Sequence, residues 1–237
     1  MVEMSDKGDK AVGISRDTLE KGAVMRLARQ RDGAKSTILS DEDLRASRRA
    51  IIADDYHGDD IWVFGYGSLI WKPEINFTER RDALVHGFHR RFCMWTTIGR
   101  GSPDCPGLVL ALDNGGSTKG VIFRIAAEQA AKELDILWRR EMMADSYRPL
   151  WLTAQTDKGP IKALSFAIRR NRPVFAPRMS DEKTAAIIHK AAGFVGPCKD
   201  YLFQTQKALI EANIHDKQMA QLCKLVSELE NEASVNS

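Results

Sequence analysis

One carboxylate in the sequence lies on the apolar face of a predicted helix, where it could transfer protons. In KELDILWRREMM, Leu134 and Trp138 repeat with the spacing of one helical face, and Glu141 shares that face because it follows Leu134 by almost two turns. Burial raises the pKa of a carboxyl, and a position near a helix C-terminus raises it further. Such a group suits general acid–base catalysis, although a partnered core glutamate is the structural alternative. Arg139 and Arg140 fall off the stripe and are expected to reach solvent.

A second candidate is the stretch VFGYGSL, residues 63–69, where two glycines and a serine interrupt an apolar strand pattern. A dinucleotide fingerprint would need glycine where Ile70 stands, a P-loop would need GK[ST], and a nucleophile elbow would need glycine two residues after Ser68. A β-bulge or tight turn is the plain alternative, with Gly65 and Gly67 supplying positive φ. Otherwise the backbone N–H groups of this loop can converge on a carboxylate or an oxyanion.

Two tyrosines are further candidates for the same site, while a metal is not expected. Tyr147 begins the strand that follows Glu141, and Tyr201 opens a helix after the turn GFVGPCKD; for both, a half-buried aromatic is the default interpretation. The five histidines show neither H-x-x-x-H nor H-E-x-x-H spacing, and the four cysteines form no C-x-x-C pair.

Composition indicates a soluble globular protein in a reducing compartment. Hydrophobic residues make up 43% and charged residues 28% of the 237 positions, and the net charge of +3 is too balanced to indicate nucleic acid. The cysteines fit unpaired thiols. The N-terminal stretch lacks the apolar core of a signal peptide, and no apolar run is long enough to span a bilayer, so a cytoplasmic location is expected.

The order of elements predicts an α+β fold with a small mixed, barrel-like sheet and flanking helices, because strands come first and helices cluster late. Ser40 and Ser180 are predicted helix N-caps, and Gly193 is a predicted helix end. Predicted strands cover 61–67, 82–96, a hairpin of 107–114 with 118–125, and a second hairpin of 147–156 with 161–170. Predicted helices cover 40–55, 126–143, 180–193, 200–214 and 216–230.

Three regions follow from this pattern. Residues 1–58 are predicted to be an N-terminal extension with a short helix, either mobile or folded only against the main domain, since the first forty residues are charged and poor in aromatics. Residues 59–230 are predicted to form the catalytic domain, and 231–237 a C-terminal tail.

Four motifs in order resemble the ChaC-type γ-glutamylcyclotransferases over roughly residues 61–229. They are VFGYGSLIWKP, the R-G-x-x-x-x-P-G pattern from Arg100 to Gly107, WRREM, and AAGFVGPCKDYL. The resemblance implies a small mixed barrel with flanking helices and neither a metal nor an organic cofactor. It also implies cleavage of γ-glutamyl compounds to 5-oxoproline and a free amine, with glutathione giving cysteinylglycine.

The resemblance also assigns roles to residues. The catalytic glutamate falls on Glu141, which would take the proton of the γ-glutamyl α-amine and pass it to the leaving amine. The predicted substrate-binding residues are Val63, Phe64, Gly65, Tyr66, Gly67, Ser68, Leu69, Tyr147 and Tyr201.

Three alternatives to a glutathione-cleaving enzyme stay open at this point. A cyclotransferase for other γ-glutamyl amines or amino acids would share the loop and the glutamate. A binding or regulatory module could keep the cavity without turnover. A nucleic-acid binder could use the scattered arginine pairs, although such pairs are typical of solvated faces.

Overall fold

A closed five-stranded barrel forms the centre of the computed structural model, which describes residues 13–32, 38–52 and 58–235. The strand order around the barrel is β1-β3-β2-β4-β5, and β5 pairs in parallel with both β1 and β3, while the other pairs are antiparallel. The predicted α+β class with a mixed, barrel-like sheet is therefore confirmed. The strands are β1 (Ile61–Gly65), β2 (Glu79–Thr96), β3 (Gly107–Ile125), β4 (Tyr147–Thr156) and β5 (Gly159–Ile168).

The predicted hairpin of 107–114 with 118–125 is wrong, because both segments belong to one strand, β3. The whole of β3 pairs with β2, from Thr96 opposite Gly107 to Glu79 opposite Arg124. The residues expected to form its turn, including Gly115 (φ 94°) and Gly116 (φ 70°), instead lie where the register shifts. Positive φ at these glycines therefore serves a bulge that bends a long strand.

The second hairpin is confirmed. Strands β4 and β5 pair from Tyr147 opposite Ile168 to Thr156 opposite Gly159, so Asp157 and Lys158 make the turn. Gly159, with φ 102°, already belongs to β5. The barrel interior holds a compact apolar cluster that includes Phe64, Val85, Leu112, Ile122 and Ala163, all fully buried.

Seven helices of the described residues surround the barrel. Ser40 and Ser180 cap their helices as predicted, and Asp43 completes a capping box with Ser40. The helix that Ser40 caps ends at Arg49, with Ala50 as its C-cap, so it is shorter than the predicted 40–55; residues 53–55 lie outside the described residues. The helices are α1 (Arg16–Glu20), α2 (Ala23–Asp32), α3 (Asp41–Arg49), α4 (Ala130–Glu141), α5 (Asp181–Lys190), α6 (Cys198–Glu211) and α7 (Lys217–Val235).

Helix α5 ends before the predicted glycine. Its C-cap is Ala191, whose backbone is already extended, and Gly193 instead belongs to the short strand β6 (Ala192–Gly193), which pairs with β7 (Gly196–Pro197). The glycine is needed there for close packing, as described below, and not for ending a helix.

The described part of the first forty residues folds against the main body. Leu19, Val24, Met25 and Ala28, from α1 and α2, are each at most 2% exposed and join the same core cluster as helix α4. Burying these apolar side chains stabilises the attachment of the segment, and α1 packs directly on α4. In the parts of the chain that are described, no helix has the length and apolar character needed to cross a membrane.

Candidate active site

Helix α4 has two buried faces, and its last turn borders a cavity. Leu134 and Trp138 are on one face as predicted, at most 2% exposed. A second face, with the spacing i, i+3, i+7, holds Glu133, Ile136 and Arg140, and the first two are 1% and 2% exposed. The N-terminal helix α1 packs on α4, and its Arg16 pairs with Glu133 of the second face.

The cavity has a volume of about 400 Å³ and brings together most of the candidate residues from the sequence. It lies where β1 ends, where α4 ends and where α6 begins. Val63, Phe64 and Gly65 are not among its lining residues: Val63 and Phe64 are fully buried inside β1. The candidates that do line it are Tyr66, Gly67, Ser68, Leu69, Glu141, Tyr147 and Tyr201.

Glu141 is the carboxylate of this cavity, and its side chain is 13% exposed. Burial raises the pKa of Glu141, while the ion pair and hydrogen bond with Arg140 oppose this shift without cancelling it. The carboxylate is therefore not the lone group that the apolar stripe predicts: Arg140 Nε lies 2.9 Å from Glu141 Oε1. A carboxyl with a raised pKa and one hydrogen-bonded oxygen can accept and return a proton near neutral pH.

Arg140 was expected in solvent, and that prediction is wrong, because its side chain is only 7% exposed. Its guanidinium donates from Nη1 to the carbonyls of Lys72 and Pro73 and from Nη2 to Ser68 Oγ, 2.9 Å away. Arg140 therefore ties the glycine loop to Glu141. The sequence did contain a signal for it, since Arg140 shares a helical face with Ile136.

Neither Gly65 nor Gly67 of the loop has positive φ, so the space around each glycine is the remaining explanation. Ser68 begins one turn of 3₁₀ helix, Ser68–Ile70, with Gly67 before it at φ −137°. A Cβ on Gly65 would lie 2.9 Å from the Cβ of Leu69, and a Cβ on Gly67 would lie 3.2 Å from the hydroxyl of Tyr201. The expectation that these glycines supply positive φ is therefore wrong, and close approach explains them instead.

Three buried tyrosines surround Glu141. Tyr66 Oη donates to the carbonyl of Phe166 and Tyr147 Oη to that of Leu110, both at 3.2 Å, while the backbone of Leu110 also hydrogen-bonds Tyr201. Burial is the main reason why the pKa of each phenol lies above its usual value, and the nearby Glu141 carboxylate raises it further. All three phenols therefore keep their protons at neutral pH, and those of Tyr66 and Tyr147 are already donated to backbone carbonyls.

The second and fourth motifs meet through backbone contact at the cavity rim. A Cβ on Gly193 would lie 2.4 Å from the carbonyl oxygen of Gly99 and 2.5 Å from that of Gly101. Val195 N donates to the Gly99 carbonyl at 2.9 Å, and Arg100 Nη1 donates to the Pro197 carbonyl at 3.0 Å. Glycines far apart in sequence thus allow two segments to pack without side chains between them.

No metal-binding group was found: nowhere in 13–32, 38–52 or 58–235 do three His, Cys, Asp or Glu side chains cluster as ligands would. The polar groups that line the cavity include one carboxylate, two guanidinium groups, the Lys72 ammonium, the Gln204 amide, hydroxyls and backbone amides. This set can bind an anionic or zwitterionic organic molecule and move a proton on it.

Comparison with known proteins agrees with this geometry. A glutathione-specific γ-glutamylcyclotransferase of Escherichia coli is 35% identical over 196 residues, which are 82% of this chain and 85% of that protein. The human glutathione-specific γ-glutamylcyclotransferase 1 is 34% identical over 149 residues, 61% of this chain and 67% of that protein.

A crystal structure of a yeast γ-glutamyl cyclotransferase specific to glutathione matches in fold, with a TM-score of 0.65 and 24% identity over 72% of this chain and 97% of that one. The family model described as ChaC-like protein matches residues 61–229, which contain the barrel, the glycine loop and Glu141. The chain therefore belongs to the ChaC-like protein family.

Proposed function

We propose that this protein is a γ-glutamylcyclotransferase that cleaves glutathione to 5-oxoproline and cysteinylglycine. The observation that carries the proposal is the position of Glu141, a carboxylate with a raised pKa inside the cavity that the glycine loop borders. Membership of the ChaC-like family and the names of the relatives support the choice of glutathione.

The reaction needs a base but no nucleophile from the protein. Glu141 takes a proton from the α-ammonium of the γ-glutamyl unit, and the freed amine attacks the γ-carbonyl carbon of the same unit. A five-membered ring closes, and Glu141 returns its proton to the leaving nitrogen as the amide C–N bond breaks. The ring nitrogen loses its second proton to the freed amine, which leaves as an ammonium. Holding the flexible γ-glutamyl arm in the shape for ring closure is a large part of the catalytic work.

The surroundings of Ser68 support a nucleophile within the substrate. Among the described residues that line the cavity there is neither cysteine nor histidine, and Ser68 Oγ accepts a hydrogen bond from Arg140. A guanidinium remains protonated and cannot take the hydroxyl proton, so it does not activate the serine. We assign Ser68, together with the backbone of Tyr66–Leu69, to binding the γ-glutamyl unit and its developing oxyanion.

The tyrosines complete the proposed binding site. Tyr66, Tyr147 and Tyr201 keep their protons, so they do not compete with Glu141 for the substrate proton, and their phenol oxygens can accept hydrogen bonds from the substrate ammonium. We further propose a reducing, cytoplasmic setting, which the four unpaired cysteines support.

The direct test is incubation of the purified protein with glutathione, followed by separation of the products. We expect 5-oxoproline and cysteinylglycine in equal amounts. Release of free glutamate instead of 5-oxoproline would indicate hydrolysis and would contradict the proposal. Parallel reactions with γ-glutamyl-alanine and γ-glutamyl-lysine measure whether glutathione is the preferred substrate.

A further inference from the structure

Two side chains from the N-terminal segment reach the cavity, although the family match begins only at residue 61. Ile14 precedes α1 and Val24 lies in the first turn of α2, and both line the same cavity as Glu141. Val24 is 2% exposed and Ile14 is half-buried. A part of the chain outside the shared domain thus contributes to the surface that a substrate would meet.

The backbone around Ile14 is held in place on both sides. Thr18 Oγ1 donates to the Gly13 carbonyl at 2.9 Å, and Ser15 and Thr18 form a capping box at the start of α1. A capped turn with both reciprocal hydrogen bonds fixes the angle at which the chain enters the helix. Ile14 therefore lies in a defined position.

Arg16 fastens this segment to the main body. Its Nη1 and Nη2 donate to the two carboxylate oxygens of Glu133 at 2.7 and 2.8 Å, and the Glu133 side chain is 1% exposed. The backbone N–H of Arg16 also donates to Glu74 Oε2 at 2.6 Å. Two parallel hydrogen bonds from a guanidinium to a carboxylate fix orientation as well as distance.

The same attachment adjoins the contacts of Arg140. The carbonyls of Lys72 and Pro73 accept hydrogen bonds from Arg140, and the next residue, Glu74, accepts from Arg16. Segment 72–74 therefore lies between the N-terminal anchor and the arginine that pairs with Glu141. Because both arginines contact this one segment, it connects the N-terminal residues to the arginine that pairs with the proposed catalytic carboxylate.

The chemistry of the lining indicates which part of the substrate these residues face. A γ-glutamyl unit carries an ammonium and a carboxylate, which need polar partners, and Glu141, Ser68 and the tyrosines supply them. Ile14 and Val24 belong to the apolar part of the lining with Met94, Ile98, Val109 and Met143. Apolar side chains suit the uncharged portion of the leaving amine, such as a thiol-bearing side chain.

We propose that Ile14 and Val24 form a fixed wall of the cavity that limits the size of the leaving amine, with Arg16 as its positioning residue. This inference rests on the proposed function, because it assigns a specificity role within that same reaction. It adds to that function a specificity role for residues that lie outside the matched domain.

The test compares glutathione with S-hexylglutathione, whose leaving dipeptide carries a bulky thioether. In Ile14→Ala we expect the ratio of kcat/KM for S-hexylglutathione to that for glutathione to rise about tenfold, because each methylene of pocket space changes selectivity by at least that factor. In Ile14→Trp the ratio should fall about tenfold. Arg16→Met should change the ratio in the same direction as Ile14→Ala, and Arg16→Lys should change it less.

The matched control is Ile187, a half-buried isoleucine of α5 that does not line the cavity. Ile187→Ala and Ile187→Trp should leave the ratio within about twofold of the wild-type value. If the kcat/KM ratio of the Ile14 variants equals that of the Ile187 variants, the proposed role of Ile14 as a wall of the cavity is contradicted.

A binding measurement distinguishes failure of this inference from failure of the proposed function. If the wild type releases no 5-oxoproline from any γ-glutamyl compound, the function fails, and calorimetric binding of S-hexylglutathione then tests the wall alone. Binding about tenfold weaker in Ile14→Trp than in the wild type supports the wall. Equal affinity in the two proteins, or no binding by either, contradicts it.

Discussion

Arg140 Nε lies 2.9 Å from Glu141 Oε1, so two consecutive residues at the end of α4 form an ion pair inside one cavity. Consecutive helical side chains point about 100° apart, so helix geometry alone does not bring these two groups together, and partners outside the helix hold the arginine. The glycine loop encloses one side through Ser68, and the carbonyls of Lys72 and Pro73 hold the arginine. The pair with Arg140 partly offsets the rise in the pKa of Glu141 that burial causes.

Replacing Glu141 tests the base directly. We expect Glu141→Gln to keep the fold and to lose on the order of 10²–10⁴ in the rate of 5-oxoproline release, because the amide cannot accept the proton. Circular dichroism measures the fold and product chromatography measures the rate. Glu128→Gln, at an exposed position before α4, is the matched control and should retain full activity. Comparable rates in the two variants would remove Glu141 from the mechanism.

Replacing Arg140 should move the pH dependence of the reaction. The base works only when ionised, so kcat/KM falls as pH drops through the pKa of Glu141, which burial has raised. Arg140 holds that pKa lower than burial alone would, so Arg140→Met should shift the acidic limb of the profile to higher pH. Arg140→Lys keeps the charge and should leave the limb closer to that of the wild type, with a lower kcat. An unshifted limb in Arg140→Met would contradict the pairing.

The Arg16–Glu133 pair should make stability depend on pH in the acidic range. Burial raises the pKa of Glu133, but hydrogen bonds from Arg16 and from the Asn76 backbone outweigh it, so the folded-state pKa is depressed. The contribution is therefore present above the unfolded pKa, about 4.3, and is lost as pH falls through the folded value.

The measurement is denaturant unfolding of the wild type and Arg16→Met across this pH range. At pH 7 we expect the variant to lose about 3 kcal/mol of unfolding free energy, at the low end for a broken buried pair, because Asn76 still donates to Glu133. The difference between the two proteins should shrink toward pH 3. A constant difference at every pH would refute the electrostatic origin.

Gly193 should tolerate no side chain. An alanine Cβ there would lie 2.4–2.7 Å from three backbone atoms of Gly99 and Gly101, which cannot move aside as a flexible side chain can. We expect Gly193→Ala to lower the unfolding free energy by about 2–3 kcal/mol. Gly13→Ala is the comparison for stability, since a Cβ there meets nothing within 4 Å, and its midpoint should stay near that of the wild type. Equal unfolding midpoints for Gly193→Ala and Gly13→Ala would refute the close packing at Gly193.

Local sequence patterns were sufficient to predict the elements that interactions between nearby residues define. Ser40 and Ser180 cap helices because their hydroxyls serve backbone groups three residues away, and the hairpin of β4 with β5 follows from one short turn. Glu141 could be placed on an inward face because helical periodicity relates it to Leu134. The order of strands and helices likewise sufficed for the fold class.

Only the tertiary structure decided what depends on residues distant along the chain. Gly115 and Gly116 could open a hairpin or a bulge, and pairing of the whole of β3 with β2 selected the bulge. Arg140 faces inward because its partners lie in residues 68–73, far from α4 along the chain. The contribution of Ile14 to the cavity likewise depends on Arg16 reaching Glu133, 117 residues later. Periodicity reports which face of a helix is apolar, whereas the burial of polar groups depends on partners that only folding brings together.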